Sequence, residues 1–300
     1  MNPPNPYEWG TYALIVQPPS FPIGGMENPL LTFASPTIIV GDKSQIYVAT
    51  HEIGHSWTGN QVTCRDWSNF WVNEGFTVFL ERKISGQRNG LEFALIESQL
   101  GNASLWNDVM GYGINNSYSS LYPNLNDGAN ADDSSSEIPY EKGYQFLYYL
   151  ENKVMKTQKD FQDMLGYYIN KYRGESVTYL EFRLTFNEWI RAHYSTTDAE
   201  TAINKVDWNT WVLTPGGSPV QLDFSTPSGQ LFESIAADYV ARQGDSSAAN
   251  YTDYNNTKNP NLKVVFLNKL TELSDQVTYK TLAKIDKDLN VTHDLNPEIG

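Results

Sequence analysis

The ten residues HEIGHSWTGN at 51–60 restrict the fold of this chain more than any other stretch. They hold two of its four histidines, His51 and His55, four residues apart, with a carboxylate, Glu52, directly after the first. Side chains at i and i+4 lie one turn apart on one face of a helix, so a helix here aims both imidazoles at one point. Glu52 is turned about 100° around the axis from His51 and stands beside that point, where a group handling the proton of a metal's water belongs. The plain alternative is an ordinary helix whose histidines are satisfied by carbonyls or solvent.

A catalytic zinc ion takes three protein ligands and leaves one position open. Glu74, in NEG at 73–75, stands nineteen positions after His55 and offers the third. A reversal between two antiparallel helices brings that carboxylate to the same ion. Alone, Glu74 reads as a solvated helix residue. With the pair on the preceding helix it completes the His₂Glu set of the gluzincin peptidases, for one Zn²⁺ per chain.

The flanking segments suit that arrangement. TYALIV (11–16) and LLTFASPTIIV (30–40) are rich in β-branched and aromatic residues and read as strands. Gly41–Ser44 turns the chain into the first zinc helix, with Ile46, Ala49, Ile53 and Trp57 at helical spacing and Gly59 as its stop. The second helix is expected from about Trp71 to Lys83, ending near Gly86. Residues 111–137 are rich in Asn, Ser, Gly and Asp and read as one long loop, a length that goes with function or disorder. Beyond it, Pro139 suits a first helical turn, and Thr178 with Glu181 has capping-box spacing for a helix ending near Tyr194. Trp57, Trp67 and Trp71 are expected in the core. His193 and His293 have no partner at ligand spacing and are expected on the surface.

Four motifs in order, FPIGGMENP, HEIGHSWTGN, FWVNEG and IPYEKG, resemble those of zinc aminopeptidases, most closely the leukotriene A(4) hydrolase and aminopeptidase family. The likeness runs from about Tyr7 to DWNTWVLTPG at 207–216. It implies an α+β fold: a thermolysin-like catalytic domain over 1–213, mostly helical with a small N-terminal sheet and a truncated start. The Pro-, Gly- and Ser-dense stretch at 214–228 reads as a linker, and 229–300 as part of a C-terminal all-α domain. The resemblance makes Gly24, Gly25, Met26 and Glu27 a substrate-binding edge. There the glycine backbone pairs with an extended peptide and Glu27 captures the free α-amino group. Glu52 becomes the catalytic general base and Tyr140 the catalytic stabiliser of the oxyanion, with His51, His55 and Glu74 as metal ligands. Asp132 is the nearest match to the family aspartate that acts on an epoxide, with Asp133 almost as near. Ser135 stands where the family has a second tyrosine, and Ile23 where it has an aromatic residue before the glycines.

The expected activity is therefore zinc-dependent hydrolysis of peptides with a free N-terminus, and a lipid epoxide is the second substrate class the resemblance brings. The competing class is non-enzymatic: a chain without flanking domains that keeps its metal only as a structural or peptide-binding element. A formal charge of −14 argues against nucleic acid and anionic membrane as partners. No run approaches the roughly 20 apolar residues of a membrane span. One cysteine, Cys64, cannot make an internal disulfide, and MNPPNPYEWG lacks the basic and apolar regions of a secretory signal. A cytoplasmic location is expected from both.

Overall fold

The computed structural model of the chain describes residues 5–126, 128–245, 252–294, 296 and 299. The first four residues of MNPPNPYEWG, Asp127 of the long loop and the terminal Gly300 lie outside them. The β-branched segments near the N-terminus form a three-stranded sheet of β1 (Ala13–Val16), β2 (Gly25–Met26) and β3 (Leu31–Ala34) in the order β1-β3-β2. β1 runs parallel to β3, Ala13 opposite Leu31. β2 runs antiparallel to it, Gly25 opposite Ala34 and Met26 opposite Phe33. β2 is thus an edge strand of two residues lying against the helix that carries HEIGH.

That helix, α1 (Ile46–Gly54), is shorter than its apolar spacing predicts. It ends at His55, and Trp57 sits in the turn beyond. There its indole N–H donates to the Asn5 carbonyl (3.2 Å) and its ring meets Tyr7 edge-on. A short strand, β4 (Val62–Cys64), leads to α2 (Trp71–Asn89), which runs past Gly86 and stops at Gly90, where φ is +98°. Packing against α3 (Leu91–Tyr112) carries α2 through the expected stop. Residues 113–137 hold no strand or α-helix among the described ones, only 3₁₀ turns at Ser117–Ser119 and Ala131–Ser134. Then α4 (Ile138–Tyr149) begins with Pro139 in its first turn and continues as a π turn over Leu150–Val154.

α5 (Gln158–Lys171) and β5 (Glu175–Val177), parallel to β4, precede α6 (Tyr179–His193), whose start carries the Thr178–Glu181 capping box that its spacing predicts. After α7 (Thr196–Asn204) and a π turn at Asn209–Leu213, residues 214–226 form no helix or strand. α8 (Pro227–Arg242), α9 (Thr252–Asn256), α10 (Pro260–Glu272) and α11 (Tyr279–Leu289) follow.

The two larger of three apolar clusters among the described residues organise these elements. The larger is aromatic: Trp71, Phe76, Phe146, Tyr168, Phe182, Trp208 and Trp211 bury together around α2 and α4. Gly75 on α2 faces Gly143 on α4, and a Cβ on either would come within 2.9 Å of the other's Cα, so these helices cross at glycine–glycine contact. The smaller core joins Phe232, Tyr239, Tyr254, Val265, Phe266 and Ile285 to Ile96 of α3, on which this helical cluster docks through α10. Trp67 does not join either. It is 62% exposed on a 3₁₀ turn capped by Asp66, whose side chain takes the Asn69 N–H and so holds the indole outward against Phe70. No helix among the described residues is long and apolar enough to cross a membrane.

Candidate metal centre and substrate cleft

α1 and α2 lie against each other so that His51 and His55 face Glu74. His51 Nε2 is 3.0 Å from His55 Nε2, and each stands 3.2 Å from Glu74 Oε2. The far nitrogens are held from behind. His51 Nδ1 is 3.0 Å from Glu81 Oε2, and His55 Nδ1 is 2.8 Å from the Thr58 carbonyl, with Thr77 Oγ1 at 3.1 Å. Glu81 is absent from the sequence reading. Its signal was available: it lies seven residues after Glu74, two turns along the same face of α2.

These contacts fix the tautomers. A carboxylate and a carbonyl can only accept, so each Nδ1 carries its proton and each Nε2 presents a lone pair inward. With both rings neutral, three acceptor atoms converge on one point with no hydrogen to share, so the site calls for a positive charge: a metal ion or, without one, a proton on an imidazole. Burial disfavours the imidazolium of His51, yet Glu74 and Glu81 outweigh it and hold its pKa well above the ordinary value. Burial likewise works against the Glu74 carboxylate, but the two histidines hold it down to about 2. Ligand atoms at about 2.0–2.1 Å from a tetrahedral zinc stand roughly 3.3–3.4 Å apart, close to the spacing here. The donor set fits a divalent cation, and no other group of three His, Cys, Asp or Glu does so among the described residues.

Glu52, also on α1, is 5% exposed, and its Oε2 is buried with no hydrogen-bond partner. Burial pushes its pKa up to about 7. Its Oε1 lies under β2, where a Cβ on Gly25 would overlap it, so the glycine lets the strand cross the carboxylate where it now sits. Glu27, just past β2, places Oε1 3.9 Å from His55 Nδ1, while its carbonyl accepts from Asn60 Nδ2 (2.9 Å). Glu27 and Glu52 together line a small cavity with Tyr7, Trp9 and Tyr12. Gly24, Met26 and Ile23 are exposed beside it.

Tyr140 stands on the other side of the histidines, its ring stacked on His51 (centroids 6.0 Å) and edge-on to Phe70 (6.0 Å). Burial, then the carboxylates of Glu74 and Glu137, raise its pKa far above that of a free phenol, so it remains an O–H donor. A cleft opens next to it, lined by Trp67, Phe70, Trp71, Tyr118, Leu121 and Pro139. Trp71 Nε1 is buried there without a partner. Ser134 of the 131–134 turn also borders the cleft, while Asp132 and Asp133 of the same turn are exposed, as is Ser135. Cys64 is no second reactive group: burial pushes its thiol up to about 12, and Arg65 turns instead to Glu181 (3.2 Å).

The chain as a whole is similar to known proteins. Residues 4–211 match the Peptidase family M1 domain. The chain is 38% identical over 274 residues to leucine aminopeptidase 2 of Aspergillus clavatus, covering 91% of this chain and 43% of that protein. It is 45% identical over 217 residues to leukotriene A-4 hydrolase of Xenopus laevis, covering 72% of this chain and 34% of the other. In three dimensions it superposes on yeast LTA4 hydrolase in complex with bestatin with a TM-score of 0.85 at 32% identity, covering 97% of this chain and 48% of that one. The chain thus spans less than half the length of these relatives.

Proposed function

The chain belongs to peptidase family M1, and from that premise we propose that it is a zinc-dependent aminopeptidase acting at the N-terminal bond of peptides. The observation that carries this reading is the convergence of two imidazole Nε2 atoms and a carboxylate oxygen on one point. His51, His55 and Glu74 would hold the zinc, Glu81 and the Thr58 carbonyl keeping the rings in the ligating tautomer. When bound, the ion supplies Lewis acidity that makes water a nucleophile near neutral pH and polarises the scissile carbonyl.

The chain's own residues then divide the work. Glu52 accepts the proton of the attacking water on its unpartnered carboxylate oxygen and returns it to the departing amine nitrogen. The Tyr140 hydroxyl donates to the oxygen on which negative charge develops, in a position set by His51 and Phe70. The outer edge of β2 offers Gly24–Met26 main-chain groups to an extended peptide, and Glu27 takes its terminal ammonium in a charge-assisted hydrogen bond. That contact sets which bond reaches Glu52, so one residue leaves at a time. The aromatic cleft by Tyr140 accommodates the rest of the substrate. Asp132 is exposed and Ser135 replaces the tyrosine of the resemblance, so the reading keeps to peptides and leaves the epoxide aside.

Hydrolysis of an aminoacyl chromogenic substrate tests it: activity is lost with a chelator, restored by zinc, and absent from Glu52→Gln with zinc still bound. Wild-type activity in Glu52→Gln would remove the mechanism. The non-enzymatic alternative predicts zinc binding with no turnover in either protein. Glu27→Ala checks the anchor separately: free-amine and N-acetylated peptides become similarly poor substrates, and an unchanged preference for free amines would remove that role.

A further inference from the structure

Lys142 lies two residues after Tyr140 on α4 and is wholly buried, at 0% exposed. Among the described residues no carboxylate pairs with it. Its Nζ donates instead to three main-chain carbonyls, those of Ser119 (3.2 Å), Thr214 (2.9 Å) and Gly216 (2.8 Å). The neighbouring carboxylate Glu141 is taken by Arg82. Three acceptors match the three N–H donors of an ammonium. The two outer segments are also tied to each other, because the Gly216 N–H donates to Ser119 Oγ (2.8 Å).

A cation buried on carbonyls alone is an expensive way to fill space, since an apolar side chain of the same volume would need no desolvation. Its placement suggests what it does. Ser119 stands between Tyr118 and Ser120, both on one wall of the aromatic cleft, while Pro139 and Phe70 form the other. One ammonium therefore fastens the loop wall of the cleft, and the segment at 214–216 behind it, to the helix that bears Tyr140.

We propose that Lys142 is a positioning residue for the reaction: by clamping 118–121 and 214–216 to α4 it fixes the start of that helix, and with it the Tyr140 hydroxyl and the facing cleft wall. The inference rests on the reading of Tyr140 as oxyanion donor. It is distinct from a packing role because it demands coupling between Lys142 and Tyr140 in turnover.

The experiment is a double-mutant cycle on the whole chain, with kcat and KM measured for an aminoacyl anilide, and zinc content and circular dichroism as controls. Lys142→Met keeps the volume and removes all three donors. It is expected to retain zinc and helix content, to lower kcat roughly 10- to 100-fold and to raise KM. In a Tyr140→Phe background the same substitution is expected to change kcat by less than about twofold, because the group it positions is gone. Wild-type kcat in Lys142→Met, or losses that multiply in the double variant, would overturn the proposal while leaving an impaired Tyr140→Phe, and so the role of Tyr140, intact. An unimpaired Tyr140→Phe would instead remove that role and the inference with it. Should Lys142→Met not fold, Lys142→Gln, which keeps two donors, takes its place. Failure of both to fold makes the lysine a keystone of the domain and overturns the positioning role.

Discussion

Helix α2 carries two buried charge clusters on adjacent residues, and they are built on opposite plans. Glu74 and Glu81 face the two histidines, where lone pairs converge and positive charge is lacking. Arg82, next in sequence, turns the other way and forks onto Glu141 of α4 with two hydrogen bonds of 2.8 and 2.6 Å, its guanidinium 4.2 Å from the Tyr144 ring centroid. The second cluster balances its charges within the chain and joins α2 to α4. The first is completed only by an added positive charge, a bound cation or a proton on His51. One therefore serves the fold and the other stores a demand for a ligand, so damage to them should register in different measurements.

The largest expected effect on chemistry comes from Glu52, and it should leave the fold alone. Glu52→Gln is expected to cut kcat about 10²–10⁴-fold, the range of a lost general base. Its unfolding free energy should stay within about 0.5 kcal/mol of wild type or rise, since the substitution removes a buried carboxylate oxygen that has no partner. Urea unfolding beside steady-state kinetics reads both, and a large loss of stability would mean that Glu52 belongs to the structural cluster. Glu141→Ala is the mirror image. It strands the buried Arg82 guanidinium and is expected to lower stability by about 3–5 kcal/mol. A chelator should destabilise the variant and the wild type by the same amount, because the two clusters share no ligand. Unequal chelator effects would show them coupled.

The two clusters were not equally legible in the sequence. His51, His55, Glu52 and Glu74 announce themselves by local spacing and a short motif, and GGMEN and IPYEKG by resemblance. Arg82 and Glu141 are 59 residues apart and look like two more surface charges until α2 and α4 cross at Gly75 and Gly143. Lys142 was hidden in the same way, its three carbonyl partners lying in two loops 23 to 74 positions away. α3 escaped for another reason. It packs on α2 and α4 on one side and on α10 on another, so its apolar residues form no single stripe and show no clean helical period. Trp67 misled because tryptophan usually means core, whereas here its ring lines the cleft.

Lys142 extends the comparison to a third plan, a buried amine held by carbonyls with no anion beside it, and its signature is in pH. Burial pushes its pKa from 10.5 down to about 7. Between those values the unfolded chain holds a proton that the folded chain has released, so the unfolded state binds more protons and stability rises with pH. Relative to Lys142→Met, wild-type stability is expected to climb from pH 7 to pH 9 at a slope of up to about 1.4 kcal/mol per pH unit, and to lose that gain as pH falls back through 7. Urea unfolding of both proteins across that range checks it. A constant difference would mean that the carbonyls hold the proton on Lys142 throughout.

The finest test divides Glu81 from Arg82, one peptide bond apart. Glu81 touches the candidate metal centre only through His51 Nδ1. In Glu81→Gln the amide oxygen can still accept that N–H, so the ring keeps its tautomer and orientation. What is lost is the negative charge that makes Nε2 a stronger donor to a cation. Zinc affinity should fall about 10-fold in Glu81→Gln and towards 100-fold in Glu81→Ala, which loses orientation as well, the range found for partners behind a ligating histidine. Metal-free stability should fall only modestly in Glu81→Gln, because the amide oxygen still accepts from Nδ1 and Glu74 remains to hold the His51 imidazolium. Competition with a chromogenic chelator measures the first, urea unfolding under chelator the second. If Glu81→Gln instead destabilised the metal-free chain by the 3–5 kcal/mol expected of a broken buried pair, Glu81 would belong with Arg82 in the structural cluster. The boundary between the two plans would then move one residue back along α2.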